Sequence, residues 1–490
     1  MARQGGGTGE RLTIFWDGRP IEARAGESAA AALHRAGIRR IGCSRKFHRP
    51  LSGDLALGLQ AQLDGVPNVR LDRLIVQLGM RLGSQNVWPS PRFDLLQLAR
   101  LVPRRWLRGG FEHPSALPSG SRRFEIWERL LRFLAGGGDA IAPSRQSEIR
   151  PGKKIAIDVA VIGGGPAGRR AAIAAAGEGR SVLLISRGRR PGRFAAAMGE
   201  ALPALPGEIR VLAGWEAVAL FRGGRLLLAA PHDGGAAAVI EPREIVLATG
   251  RRSLAPLVPG ADLPGMMDLA SAVGLARAGA IPPGQRAVLI GTNALEAIAP
   301  RLQKLGIALA GIAEAGRATR ILGWESVRGI ELSEGKRIAC EAVIHAGPWR
   351  ADPFLPFQAC AGGELRLAAG AMPAHIRLAG SAELPPEPIA CARLDDRAFV
   401  CPCMDVTVAE IRDLASAGES HVEVLKRLTG CGMGPCQGMP CWDHLAAALA
   451  HLTGQPAESF GHPSYRAPRA GLTLAQAAGL ADLVAPEPPS

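Results

Sequence analysis

The sequence predicts an α/β chain organised around two nested nucleotide-fold modules, and three observations predict it. The stretch IAIDVAVIGGGPAGRRAAIAAAGEGRSVLLISRG reads as an apolar strand, a Gly-rich turn, an Ala-rich helix and a second apolar strand, which is one βαβ unit. The stretch GQRAVLIGTNALEAIAPRLQKLGIALAGIAEAG repeats that order in degraded form. The length of 490 residues leaves room for about two to four domains and an ample core.

Composition narrows the classes. The formal net charge is +14 and the pI about 10.1, which raises the question of nucleic acid. The arginines are scattered, however, and aromatics make up only 4%, so no stacking platform beside a basic stripe emerges. A solvated basic surface or a contact face for an acidic partner is the expectation. The N-terminal MARQGGGTGERLTIFWDGR has no apolar h-region, and no run approaches the roughly 20 apolar residues of a spanning helix. An odd count of nine cysteines without a signal argues against a disulfide framework and for a reducing cytoplasm.

The elements follow in order. RLTIFWDGRPIEARAG gives two strand-like runs about an Asp17-Gly18 hairpin turn. ESAAAALHRAG is a short helix closed by Gly37. Arg/Trp-rich and turn-rich stretches then surround a helix at RRFEIWERLLRFLA, and the Gly/Pro/Lys connector APSRQSEIRPGKK marks a boundary near residue 154. After the first βαβ unit, EIVLATGRR is a strand entering a Gly turn, and EAVIHAGPW and HIRLAGSAEL add short strands. From 396 the pattern turns helical. Thr407 with Glu410 and Ser420 with Glu423 match the capping-box spacing, and a third helix, CWDHLAAALAHL, starts at Cys441. The Pro-rich tail is expected to wrap a neighbouring surface or partner.

Gly163, Gly165 and Gly168, with Pro166 and Ala167 between the last two, form G-x-G-x-x-G between a predicted strand and a helix. The first glycine permits the tight turn, the second lets backbone approach a pyrophosphate, and the third lets helix and strand pack closely. At the end of the next strand, where an acid usually takes the ribose hydroxyls, stands Ser186, followed by Arg187, Arg189 and Arg190. Three readings stay open: a 2′-phosphate site for NADP(H), FAD with a weakened ribose contact, and a site that has drifted from tight binding. The second module's GTNALE turn keeps only Gly291, which makes NAD(P) there the lesser expectation.

Cys401-x-Cys403 is followed some thirty residues on by Cys436-x4-Cys441. Four thiolates from two loops beside capped helices can surround a soft metal centre. Zinc ribbons usually show two CxxC knuckles, which this pattern does not. A [2Fe–2S] cluster is therefore the first reading, with zinc and packed thiols behind it. Gly432, Gly434 and Gly438 would let backbone N–H groups approach inorganic sulfide. Cys431 reads as a neighbour of the ligands; Cys43, Cys340, Cys360 and Cys391 read as packed thiols, and His48 as a structural histidine.

The stretches CPCMDVTVAEI and LKRLTGCGMGPCQGMPC resemble the [2Fe–2S] domain related to bacterioferritin-associated ferredoxin, in the version fused to flavoproteins of the opine oxidase and hydrogen cyanide synthase type. IGCSRKFHRP, SQNVWPSPRFD, DVAVIGGGPAGRRAA and LTGCGMGPCQG follow the order of the alpha chain of heteromeric sarcosine oxidase, over nearly the full length. Thr249 and Gly250 in LATGRR resemble the ATG turn beside the flavin nucleotide of two-dinucleotide flavoproteins.

The resemblance implies a ferredoxin-like β-grasp module at 1–105, a linker and helix at 106–154 and a two-dinucleotide-binding flavoprotein core at 155–395. A helical [2Fe–2S] domain at 396–455 and a Pro-rich tail at 456–490 complete it. It further implies an electron-transfer subunit of an amine or imino-acid dehydrogenase or oxidase of the sarcosine, opine, proline or glycine class. Cys401, Cys403, Cys436 and Cys441 would hold the cluster, and FAD would lie at the glycine turn. FMN would sit at a subunit interface in some members. The implied partners are a beta-type FAD-dependent subunit that oxidises the amine, a small third subunit and a downstream electron acceptor. The place would be the cytoplasm, with peripheral membrane association through the complex. Two departures stand out. The N-terminal module offers only Cys43 where a cluster needs four thiolates, and Gly380-Ser381 replaces the usual Gly-Asp that holds a ribityl chain. A cluster-bearing scaffold without flavin and a self-contained NADP(H) reductase are the alternatives.

Overall fold

In the computed structural model, Asp17 and Gly18 take positive φ (46° and 76°), the turn geometry that matches strand twist. They join Arg11–Trp16 to Arg19–Arg24 in antiparallel register. The described residues are 10–51, 60–90, 93–101, 121–134, 149–281, 284–360, 372–389, 393–434, 436–468 and 472–484. Cys391, the HPSALPSGS turn before residue 121 and most of the connector before residue 149 lie outside them. The chain divides into two units: Met1–Ala142 with Ser253–Pro348 and Pro388–Pro463, and Pro143–Arg252 with Trp349–Glu387 and Ser464–Ser490. The two nucleotide-fold modules thus fall in different units.

In the first unit the hairpin belongs to a five-stranded sheet. Its order is Arg19–Arg24, Arg11–Trp16, Arg81–Gly83, Gln60–Leu63, Val66–Arg70, with the second and third strands parallel. The helix Ala29–Arg35 is N-capped by Ser28 and ends before Gly37 at φ +78°. It buries Leu33 with Ile14, Trp16, Ile21, Leu71 and Leu82. This is a β-grasp arrangement. The second nucleotide module forms a parallel sheet in the order Met266–Asp268, Ala342–Ala346, Arg286–Gly291, Ala308–Glu314. Three antiparallel strands spanning Ala318–Ala339 pack beside it around Ile321, Ile330 and Val343.

The C-terminal part of this unit holds a short antiparallel pair, Phe399–Cys401 with Val406–Thr407, and helices Val408–Ser416, Val422–Thr429 and Cys441–Thr453. Thr407 and Glu410 form the expected capping box, whereas Ser420 and Glu423 do not. The helix starts one residue later than that spacing requires, with His421 as N-cap. The His421 N–H is taken by Glu419 at 2.8 Å, and Glu423 turns to Lys426 at 3.5 Å.

In the second unit a seven-stranded sheet runs Arg210–Ala213, Val182–Ser186, Lys153–Ile162, Ala238–Leu247, Leu226–Pro231, Trp215–Phe221, with Ile376–Leu378 also pairing to Ala238–Leu247. The central strands are parallel and buried, hence the continuous apolar runs. The tail contains the helix Leu474–Gly479, whose Thr473 and Gln476 form a capping box. Gln476 donates to the carbonyls of Pro231 (3.2 Å) and Gly235 (2.9 Å), Gly152 N–H donates to Gly479 (2.7 Å), and Leu480 packs with Val218 and Leu226. The surface the tail wraps is this unit's own sheet.

Candidate metal centre and dinucleotide turn

Two loops deliver the thiols. The strand Phe399–Cys401 passes into a 3-10 turn, Pro402–Met404, that ends at Asp405 in the left-handed region (φ 57°), so Cys401 and Cys403 face one point. The second loop leaves the Val422–Thr429 helix through Gly430 (φ +77°) and re-enters helix at Cys441, carrying Cys431 and Cys436 between. The sulfurs form a chain: Cys401 to Cys403 at 3.7 Å, Cys403 to Cys436 at 3.4 Å, Cys436 to Cys441 at 3.3 Å. All five cysteines of the region are buried. Among the described residues, Cys401, Cys403 and Cys441 are the one group of metal-ligand side chains whose donor atoms all fall within 4.8 Å of one another.

Electrostatics test the fit to a metal. Burial opposes ionisation of Cys401, yet hydrogen bonds from Cys403, Cys431, Cys436 and Cys441 drive its thiol well below the usual range. The same contacts, made to a Cys401 thiolate, push Cys403, Cys431 and Cys441 well up. Thiols crowded this closely oppose one another's ionisation, and several thiolates together need a thiophilic cation among them. The donor set fits a soft metal centre. Cys431, which the sequence set apart as a neighbour, lies directly against Cys401.

The glycines divide their work more sharply than the sequence suggests. Gly432 N–H donates to Cys401 Sγ at 3.4 Å. At Gly434 a Cβ would stand 2.5 Å from Cys403 Sγ, so only glycine lets this loop close over the sulfur. Gly438 (φ +84°) serves another purpose: a Cβ there would sit 2.5 Å from the Trp442 indole, which also presses on Gly432.

The dinucleotide turn is formed as its spacing implies. Gly163 takes φ +118° against the Ala248 carbonyl, and Gly168 faces the Gly163 carbonyl too closely for any Cβ. Gly165 caps the Pro166–Gly177 helix without a side-chain hydrogen bond, and a Cβ there would meet nothing within 4 Å. Helix N–H groups behind an open glycine are what a pyrophosphate requires, and the residues fit a dinucleotide. Ser186 is buried, with its Oγ 3.0 Å from where a Gly164 Cβ would be, so a hydroxyl occupies the ribose position. Arg187, Arg189 and Arg190 are exposed. Arg169 braces the turn, donating to the carbonyls of Gly164 (3.3 Å), Pro203 (2.8 Å) and Pro191 (3.0 Å). Its place directly after Gly168 is the signal that could have found it. Gly250 (φ +72°) ends the Thr249 turn, with Ser381 Oγ 3.9 Å from its would-be Cβ, and Gly380 packs on Ala167. His48 is buried at φ 48° with Nδ1 2.9 Å from the Asn86 carbonyl, a structural arrangement.

Three family models match the chain. Residues 395–480 match the sarcosine oxidase A3 domain, 157–306 the pyridine nucleotide-disulphide oxidoreductase family, and 9–87 the 2Fe-2S iron-sulfur cluster binding domain. Within 9–87 the sequence has only Cys43, so the likeness there is one of fold, and the clustered thiols lie in the A3 match. The chain is similar to the sarcosine oxidase alpha subunit of Rhizobium meliloti (strain 1021), 25% identical across 93% of this chain and 56% of that protein. It is also similar to the opine oxidase A subunit of the same organism, 34% identical across 19% of each. It spans about half the length of the first relative. Among solved structures, L-proline dehydrogenase from P. horikoshii superposes with a TM-score of 0.70 at 20% identity, covering 96% of this chain and 98% of that one. The fold is thus the Rossmann-like α/β fold with an N-terminal ferredoxin-like module, and the two curated relatives named are subunits of oxidases. No helix among the described residues is long and apolar enough to cross a membrane.

Proposed function

We propose that this chain is the electron-transfer, alpha-type subunit of a multi-subunit amine or imino-acid dehydrogenase or oxidase, of the sarcosine, opine, proline or glycine class. Cys401, Cys403, Cys436 and Cys441 would hold a [2Fe–2S] cluster. The turn of Gly163, Gly165, Pro166, Ala167 and Gly168, with Ser186, Arg187, Thr249 and Gly250, would hold FAD. The observation that carries the reading is the convergence of buried thiols from two loops, at 3.3–3.7 Å steps, in a chain that also forms an open dinucleotide turn. Similarity to the alpha chain of sarcosine oxidase across 93% of this chain supports the same assignment.

When bound, flavin handles electrons in pairs and the cluster handles them singly, which lets a two-electron substrate oxidation feed a one-electron carrier. The chain's own residues have narrower tasks. Helix N–H groups behind Gly165 bind the pyrophosphate, Ser186 orients the ribose, and the Cys401–Asp405 turn fixes thiolate geometry while burial excludes water. Substrate oxidation belongs to a beta-type FAD-dependent partner, with a cytoplasmic setting for the complex.

Anaerobic purification of the chain, alone and with its partner, tests this through iron and acid-labile sulfide content, EPR and released-flavin identification. About two irons and two sulfides per chain, lost in Cys436→Ser, are expected for a [2Fe–2S] centre. Iron-free protein whose spectrum Cys436→Ser leaves unchanged would sink the reading. Ser186 and Ser381, where acids would hold ribose and ribityl hydroxyls, favour a second reading: a cluster-bearing scaffold that leaves flavin to its partner. Flavin released only from the partner would select it.

A further inference from the structure

Beside the cysteine loops lies a set of polar contacts that the proposed function does not use. Asp405, the residue that closes the Cys401–Cys403 turn, is fully buried in the left-handed region. Its carboxylate accepts from Ser44 Oγ (2.7 Å), Lys46 N–H (3.0 Å), Phe47 N–H (3.1 Å) and Arg49 Nε (2.8 Å), all from the loop that follows Cys43 in the ferredoxin-like module. Arg45 N–H donates to the carbonyl of Cys403 itself at 3.1 Å. Arg49 also donates to the carbonyl of Pro402, between the two cysteines (3.4 Å), pairs with buried Asp262 and stacks 3.3 Å from the Phe399 ring centroid. Lys46 Nζ donates to the Thr429 carbonyl (2.8 Å), and Thr429 Oγ1 accepts from Cys431 N–H (3.1 Å). One loop therefore holds both cysteine loops at once, through two cations and several backbone donors.

We propose that residues 44–49 of the ferredoxin-like module form a clamp that tunes the reduction potential of the C-terminal thiolate centre, with Arg49 and Lys46 as its positioning residues. A module without ligands for its own cluster then serves the one held elsewhere in the chain. The physical argument is one of charge. Reduction adds an electron to a buried anionic centre, and nearby cations and N–H dipoles favour that state, most strongly where water is excluded. Arg49 carries the positive charge that offsets Asp262 and Asp405, whose carboxylates would otherwise oppose reduction.

The inference rests on the cluster reading above, and its test separates the two. The full chain, purified anaerobically, is compared with Lys46→Met, Arg49→Met and Arg49→Lys for iron and sulfide per chain, melting temperature and midpoint potential in a dye-mediated redox titration. Lys46→Met keeps its iron and its melting temperature. At the wild-type midpoint its reduced-to-oxidised ratio falls from one to about a tenth, equivalent to 59 mV for a one-electron couple. Arg49→Met shifts further in the same direction or loses iron, and Arg49→Lys restores at least part of the potential. Iron-replete wild type with Lys46→Met at the wild-type potential would overturn the clamp's tuning role, whatever Arg49→Met does. Wild-type protein free of iron and sulfide, or holding zinc, would overturn the cluster reading and this proposal with it.

Discussion

Replacing Gly165 by Ala separates what the glycine turn does for the protein from what it does for a ligand. Gly165 sits at φ −72° and ψ −179°, backbone that any residue adopts, and an added Cβ meets nothing within 4 Å. Alanine is the poorer N-cap by up to about 1 kcal/mol, which its restriction of the unfolded chain offsets by about 0.4–1 kcal/mol. The net effect on stability is within about 1 kcal/mol, a melting shift of no more than about 4 °C for a unit of this size. The methyl group would instead stand where a pyrophosphate must approach the helix N-terminus. Overpacking of that kind costs about 1–3 kcal/mol, or roughly 5- to 150-fold in Kd. Gly168→Ala is the opposite case. Its Cβ collides with the Gly163 carbonyl group and stands 3.2 Å from Ala248 Cβ, so the apoprotein itself melts lower by more than about 4 °C. The assay is differential scanning fluorimetry of both apoproteins beside FAD titration by fluorescence quenching. Gly165→Ala that binds FAD with wild-type affinity would refute the close-approach argument, and Gly165→Ala that melts far below wild type would refute its steric half.

Other outcomes follow from the same geometry. Serine at Cys401, Cys403, Cys436 or Cys441 removes most of the iron, whereas Cys431→Ser retains it, as iron and sulfide assays on anaerobic protein will report. Gly434→Ala, with its Cβ 2.5 Å from Cys403 Sγ, loses metal while Thr407→Ala, which removes only a cap, keeps it and costs about 1 kcal/mol in denaturant titration. His34, half-buried with Nδ1 donating to the Ala280 carbonyl at 2.7 Å, is pushed down to about 4 by loss of solvent and by the nearby Arg39 charge. The unfolded chain binds this proton first, so His34 contributes stability that is complete above about pH 6.5 and is lost as pH falls toward 4. The loss reaches about 3 kcal/mol at most, and His34→Gln flattens that part of the acid melting profile.

The readable features were local. Asp17-Gly18 announces its hairpin because two residues need positive φ in sequence, and the βαβ unit announces itself because buried parallel strands leave continuous apolar runs. The convergence of the cysteine loops was legible because four thiols in two short runs stand out from the rest of the sequence. Asp405, Arg49 and Asp262 were not: Arg49 meets its partners 356 and 213 residues away, and single charges in loops have no period to betray them. Ser420 misled because a capping-box spacing specifies side chains that could cap, while the helix start is set by which residues bury, here Val422 and Leu425. At Gly438 the sequence shows that room is needed but not for what, and part of that room goes to the Trp442 indole.

The interleaving of the two units bears on the order in which the chain can mature. During synthesis, folding generally proceeds domain by domain from the N-terminus. Here the sheet that starts at Lys153 receives its covering helix, Leu474–Gly479, only when the end of the described chain has emerged. The loop at 44–49 must likewise wait, its buried partner Asp405 still unmade, while the intervening nucleotide modules are translated. A nascent chain therefore spends most of these residues' synthesis with cationic and acceptor groups unmatched, and the clustered thiols are all present only once Cys441 has emerged. Residues translated late thus decide when the early ones finish folding.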